Sequence, residues 1–170
     1  LGEKVYGGAK DLDNFVMVTL GTGLGGGIVV NGDLVYGHDG FAGEQGHVNV
    51  VENGRKCGCG NHGCLETYVS APGIKRTVFE LLAKDTEGSK LVKYTFDEMD
   101  SEIIFNAARD DDPVALKAFE ETGKTLGKHL ADTVALVSPS KIFLFGGLAN
   151  AGDFIIKHTK QWLEHFVMGL

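Results

Sequence analysis

Cys57, Cys59 and Cys64 are the only cysteines of the chain, and they fall within eight residues. Disulfides would leave one thiol over and close only trivial loops, so the cluster reads as metal-ligating in a reducing compartment. Zinc takes four tetrahedral nitrogen or sulfur ligands, so the cysteines leave one position to fill. His47 and His62 are the nearby imidazoles. His62 lies between Cys59 and Cys64, where the short tether makes shared coordination awkward. His47 lies ten residues before Cys57 and can fold back across the Asn53-Gly54 turn. The expected site is therefore a structural zinc held by His47, Cys57, Cys59 and Cys64. The plain alternative is three reduced thiols in a glycine-rich loop.

The second candidate is the run Gly21-Thr22-Gly23-Leu24-Gly25-Gly26-Gly27, five glycines in seven residues. It matches G-x-G-x-x-G formally, but a dinucleotide fingerprint needs a helix immediately afterwards. Here Ile28-Val29-Val30 follows, which is β-branched, and then the hairpin signal Asn31-Gly32. No Gly-Lys-Ser/Thr follows, so a P-loop is excluded. A tight strand–turn–strand with bare N–H groups and one hydroxyl, Thr22, remains. Such backbone suits phosphate oxygens, because no Cβ blocks close approach. A flexible turn without ligand is the alternative.

Carboxylates flank both features. Glu44 stands three residues before His47, and Glu66 two after Cys64. Closing the loop onto a metal would draw Glu44, His47 and Glu66 into one locale. Two carboxylates and an imidazole are good partners for the hydroxyls of a sugar. Two solvated glutamates are the alternative.

The elements that must position these residues follow from pattern. Phe15–Leu20 is a strand, Ile28–Val30 a second, Leu34–Tyr36 its return, and Val48–Val51 another candidate. Residues 66–70 read as helical, a helix with Pro72 in its first turn runs to about Lys84, and residues 85–99 are polar and irregular. Ser101 is the expected cap of a helix to about Arg109. Asp112-Pro113 is a cap and first-turn pair for a long helix with Phe119, Leu126, Leu130, Val134 and Val137 on one face, ended by Pro139. Ile142–Phe145 is a buried-type strand followed by Gly146-Gly147, and a last helix fits Asp153–Phe166. Strands first and helices with a later strand afterwards give an α/β domain with a partly antiparallel sheet.

Composition bounds the rest. The chain has 170 residues, 43% apolar and 23% charged, with mean hydropathy -0.01. These values exclude wholesale disorder and a membrane protein. Its 25 glycines have no G-X-Y period and only three prolines accompany them, so collagen is excluded. The formal net charge is -7, with no basic stripe, which argues against nucleic-acid binding by this segment. No window is long and apolar enough for a membrane span, and the start lacks the apolar core of a signal peptide. The chain opens on Leu1 rather than Met, and reads as a piece of a longer protein.

Taken together, Val18–Gly27, Gly43-Glu44-Gln45-Gly46-His47, Cys57–Glu66 and the Gly146-Gly147 pair resemble the ROK family of repressors and kinases, its bacterial glucokinases most closely. The resemblance runs from near residue 1 to about 168. It implies an actin-like ATPase fold (ribonuclease H-like, hexokinase-like) of two α/β domains around a cleft. Residues 1–170 would be the larger C-terminal domain, with 43–66 as a zinc- and sugar-binding insertion. The N-terminal domain with its catalytic Asp, and a last strand and helix, would lie outside the chain. By position, Gly21, Thr22 and Gly23 would meet the phosphates of ATP, carried with Mg²⁺. Gly146 and Gly147 would lie near the adenosine, and Glu44, His47 and Glu66 would hold the hexose. A cytoplasmic homodimer, or dimer of dimers, is implied. The sugar-responsive repressors of the family are the rival reading.

Overall fold

The computed structural model describes residues 2–167. A short helix, α1 (Gly2–Tyr6), precedes the sheet. The sheet is built from β1 (Phe15–Leu20), β2 (Leu24–Val30), β3 (Asp33–Leu34) and β4 (Lys141–Phe145) in the order β3-β2-β1-β4. β1 is antiparallel to β2 and parallel to β4, so the sheet is mixed. Helices α2 (Ala71–Leu82), α3 (Ser101–Arg109), α4 (Pro113–Val137) and α5 (Asp153–Phe166) complete the α/β fold.

Alternation along β1 decides which face is covered. Val16, Val18 and Leu20 are fully buried against a core shared with Ile74 and Val78 of α2 and Phe119, Leu126 and Leu130 of α4. Phe15, Met17 and Thr19 point to the other face. There Phe15 meets Phe143 edge-on at 5.8 Å, and an apolar groove of about 300 Å³ remains between α1 and Phe145. α4 and α5 approach closely because α4 carries glycines four apart. A Cβ at Gly127 would stand 2.9 Å from the Leu163 nitrogen.

Local signals explain most boundaries. Asn31 and Gly32 both have positive φ, 52° and 86°, as the hairpin turn requires. Ser70 caps α2 by accepting from the Gly73 N–H at 3.0 Å. Asp112 caps α4, accepting from Val114 and Ala115 at 3.0 Å each. The left-handed Ser138 (φ 42°) closes α4 before Pro139.

Several expectations need correction. The return strand stops at Leu34; Val35 still donates to the Ile28 carbonyl at 2.8 Å, but Gly37 (φ 72°) then turns the chain away. Val48–Val51 is not a sheet strand. It pairs instead with the cysteine loop, through one bridge between Asn49 and Cys64. The helical segment near Glu66 is only a 3₁₀ turn, Leu65–Thr67. The cap of α3 is Asp100, which accepts from Ile103 at 2.8 Å, with Ser101 the first helical residue. Residues 85–99 include a 3₁₀ turn, Lys90–Lys93, and bury Leu91 and Met99 in the core. Among the described residues no helix is long and apolar enough to cross a membrane.

Candidate functional site

Both glycine segments meet at the C-terminal ends of the two parallel strands, the edge where α/β sheets bind ligands. Leu20 pairs with Leu24, so Gly21–Gly23 is a tight reversal, closed by a hydrogen bond from Gly21 N–H to the Gly23 carbonyl at 3.0 Å. Gly146 (φ 108°) lies against it. A Cβ there would stand 2.5 Å from the Leu20 carbonyl, which also accepts from Leu148 N–H at 3.1 Å. The Gly21 carbonyl accepts from Ala71 at 2.8 Å, which ties the turn to the start of α2. Thr22 is exposed beside a recess of about 190 Å³ that also touches Lys56, Glu66 and Arg76.

Gly147 opens on a larger cavity of about 550 Å³, walled by Glu102, Phe105, Asn106 and Arg109 of α3 and by Asn150. No sequence motif marks this wall. Only the pairing of β4 with β1 brings α3 and the second glycine turn to one side.

Glu66 connects the glycine turn to the cysteine loop. Its Oε2 accepts from Leu24 N–H at 3.4 Å, and a Cβ at Gly23 would stand 2.8 Å from it. Its Oε1 accepts from the Cys57 thiol at 3.1 Å and lies 3.8 Å from His47 Nδ1. Glu44 is exposed on the segment that carries His47, where Gln45–His47 forms a 3₁₀ turn and His47 N–H donates to the Glu44 carbonyl at 3.1 Å.

His47, Cys57, Cys59 and Cys64 present one ligand atom each, all within 4.8 Å of one another. Cys59 and Cys64 sulfurs are 3.7 Å apart, and Cys57 Sγ is 3.7 Å from His47 Nδ1. A tetrahedron with zinc–sulfur bonds has sulfur–sulfur edges of about 3.8 Å. The donor set therefore fits a tetrahedral cation in both chemistry and spacing. His62 is outside it; its carbonyl instead accepts from Asn49 Nδ2 at 2.7 Å. Burial pushes the Cys57 thiol up to about 12, aided by the hydrogen bond to Glu66, and raises Cys64. Cys59, exposed, is lowered chiefly by the Asn61 backbone N–H and by Cys57.

Arg55 fixes this loop to α2. Its Nε and Nη2 grip Glu80 at 2.8 and 2.7 Å, Nη1 donates to the carbonyls of Thr67 and Gly73, and Nη2 donates to Thr77 Oγ1. The guanidinium stacks 4.4 Å above the Tyr68 ring. One side chain thus joins the residues before Cys57, the turn after Glu66 and the helix. Nothing in the sequence marks Arg55 out from other surface cations.

The ROK family profile matches residues 1–169. The chain belongs to the ROK family. It is 38% identical over 170 residues to a glucokinase of Halalkalibacterium halodurans, covering 99% of this chain and 52% of that protein. The crystal structure of a ROK family glucokinase from Streptomyces griseus in complex with glucose and AMPPNP superposes with a TM-score of 0.89 at 33% identity, over 99% of this chain and 55% of that one. A ROK family transcriptional regulator, a homologue of the E. coli MLC protein, superposes at 0.84 with 33% identity, over 98% of this chain and 41% of that one. The fold is thus that of the ROK sugar kinases, the actin-like ATPase fold. The chain spans about half the length of the glucokinases it matches.

Proposed function

We propose that this chain is the C-terminal domain of a ROK kinase that transfers the γ-phosphoryl group of ATP to a hexose, glucose foremost. The carrying observation is that Glu66 accepts from Leu24 N–H at the glycine turn and stands 3.8 Å from His47 of the metal cluster. Anion-binding backbone and a hydroxyl-binding carboxylate thereby share one site. The glucose and AMPPNP of the S. griseus complex support that pairing.

In this reading the N–H groups at Gly21, Thr22 and Gly23 receive the phosphates of MgATP. Gly146 and Gly147 border the nucleoside, whose base and ribose enter the cavity beside Phe105 and Asn106. Glu44, His47 and Glu66 accept and donate hydrogen bonds to the sugar hydroxyls. His47, Cys57, Cys59 and Cys64 would hold a zinc ion, whose chemistry would be structural: it would fix the His47 ring, which also faces the sugar. Fixed N–H dipoles stabilise charge on the transferring group. The base that takes the hydroxyl proton lies outside residues 1–170. Residues 43–66 form the sugar- and zinc-binding insertion. A cytoplasmic homodimer, or dimer of dimers, is the assembly we expect.

The similarity to a ROK transcriptional regulator supports a second reading, a sugar-sensing effector domain. The complete glycine run around Thr22 favours the kinase, because a sensor has no use for a phosphate site. A coupled assay of ATP-dependent hexose phosphorylation by the intact gene product separates the two. Hexose binding without phosphoryl transfer would support the sensor instead.

A further inference from the structure

The segment Gly43–His47 carries two proposed sugar ligands outward while one side chain points inward. Glu44 and His47 are exposed; Gln45 between them is 5% exposed. The segment lies flat on β2 because glycines face each other there. A Cβ at Gly26 would stand 2.5 Å from the Gly43 carbonyl and 2.9 Å from Gln45 Nε2. Gln45 then reaches α4, where its Oε1 lies 3.2 Å from Nε2 of His129. His129 is itself 6% exposed. Burial lowers its pKa and Asp132, on the same helix, opposes that shift in part, so the ring is held neutral. A neutral ring donating from Nε2 fixes the tautomer through Gln45.

This is the one side-chain hydrogen bond from Gln45 to another element among the described residues, since Gln45 Nε2 has no partner there. An exposed loop can slide over β2 by small amounts; a buried donor–acceptor pair resists that slide, because breaking it strands both groups away from water. Hydroxyl recognition depends on placement within fractions of an ångström. We propose that His129 is a positioning residue of the hexose site, acting through Gln45 on Glu44 and His47. The proposal rests on the sugar-kinase reading and adds a residue that touches neither substrate nor metal.

The test is a double-mutant cycle on the intact gene product: His129→Leu, Gln45→Leu, the pair together, and His129→Gln, whose amide reaches about as far as Nε2. Hexose and ATP kinetics, hexose affinity by calorimetry without nucleotide, and bound metal are measured for each. We expect His129→Leu to raise the hexose KM by about tenfold with the ATP KM unchanged within about twofold. His129→Gln should restore most of the loss, and His129→Leu should add little in the Gln45→Leu background. A hexose KM unmoved in His129→Leu, or hexose and ATP KM values that rise together, overturns the proposal. So does equal loss in both backgrounds. Should His129→Leu fail to fold, the comparison of His129→Gln with Gln45→Leu decides it: hexose affinity equally low in both overturns it, and retention in His129→Gln alone supports it. A wild-type protein that neither binds nor phosphorylates hexose overturns the kinase reading, and the proposal falls with it.

Discussion

At the scale of residues, the metal cluster and the buried histidine both make pH-dependent predictions. A Cys57 thiol raised to about 12 by burial is protonated at neutral pH, and a cation must displace that proton. Metal affinity should therefore rise steeply between about pH 6.5 and about pH 8, measured by chelator competition; an affinity flat across that range contradicts the thiol assignment. The His129 shift runs the other way, downward, and its contribution also favours high pH. Burial holds its folded pKa below the ordinary imidazole value of 6.5, so its contribution is fully present above 6.5 and is lost as pH falls through the folded value. Denaturant unfolding should show an acid limb in the wild type that flattens in His129→Gln. An identical limb in the two proteins would place the acid sensitivity elsewhere.

At the scale of elements, two packings can be perturbed cleanly. Arg55→Lys removes the planar fork that ties the cysteine loop to α2 while keeping the charge. Metal affinity should fall by about 10- to 100-fold, by analogy with supporting residues of other metal sites. Retained affinity would mean that the loop holds its shape alone. Gly127→Ala tests the α4–α5 contact. On an exposed helix the change stabilises by about 1 kcal/mol. Here the new methyl meets α5 backbone, 2.9 Å from the Leu163 nitrogen, so overpacking of about 1–3 kcal/mol wins and the midpoint of urea unfolding should drop. A rise would show that α5 yields freely.

Much of this was legible in the chain. β1, the Ile28–Val30 end of β2, the Asn31-Gly32 turn, the cap Asp112, and the convergence of His47 with three cysteines follow from local signals. The failures have a common cause. Val48–Val51 has strand composition, but its partner, residues 63–65, is set by the loop closing on itself. Arg55, Gln45 and His129 act across separations of 12 to 84 residues, and no spacing rule records such contacts. The wall formed by α3 beside Gly147 was equally hidden, because it depends on β4 inserting parallel to β1.

At the scale of the whole molecule, the uneven glycines acquire a cause. Eighteen of the 25 lie in residues 1–73. Gly23, Gly26, Gly46 and Gly63 all sit where a Cβ would strike a neighbouring element. Close backbone approach stacks the turn, the Glu44–His47 segment and the cysteine loop on one edge of the sheet. The same view sets a limit on activity. Nucleotide and sugar groups sit on this chain in our account, while the base sits outside it. Residues 1–170 alone should bind without turnover. Robust phosphorylation by them would move the base into this half.

The most direct test of the central claim is ATP-dependent glucose phosphorylation by the intact gene product, wild type against Glu66→Gln. The wild type should produce glucose 6-phosphate. In Glu66→Gln, kcat/KM should fall by at least about 100-fold, equivalent to about 2.7 kcal/mol, with bound zinc unchanged. A zinc-loaded wild type that phosphorylates no hexose, or a Glu66→Gln protein with undiminished kcat/KM, would contradict it.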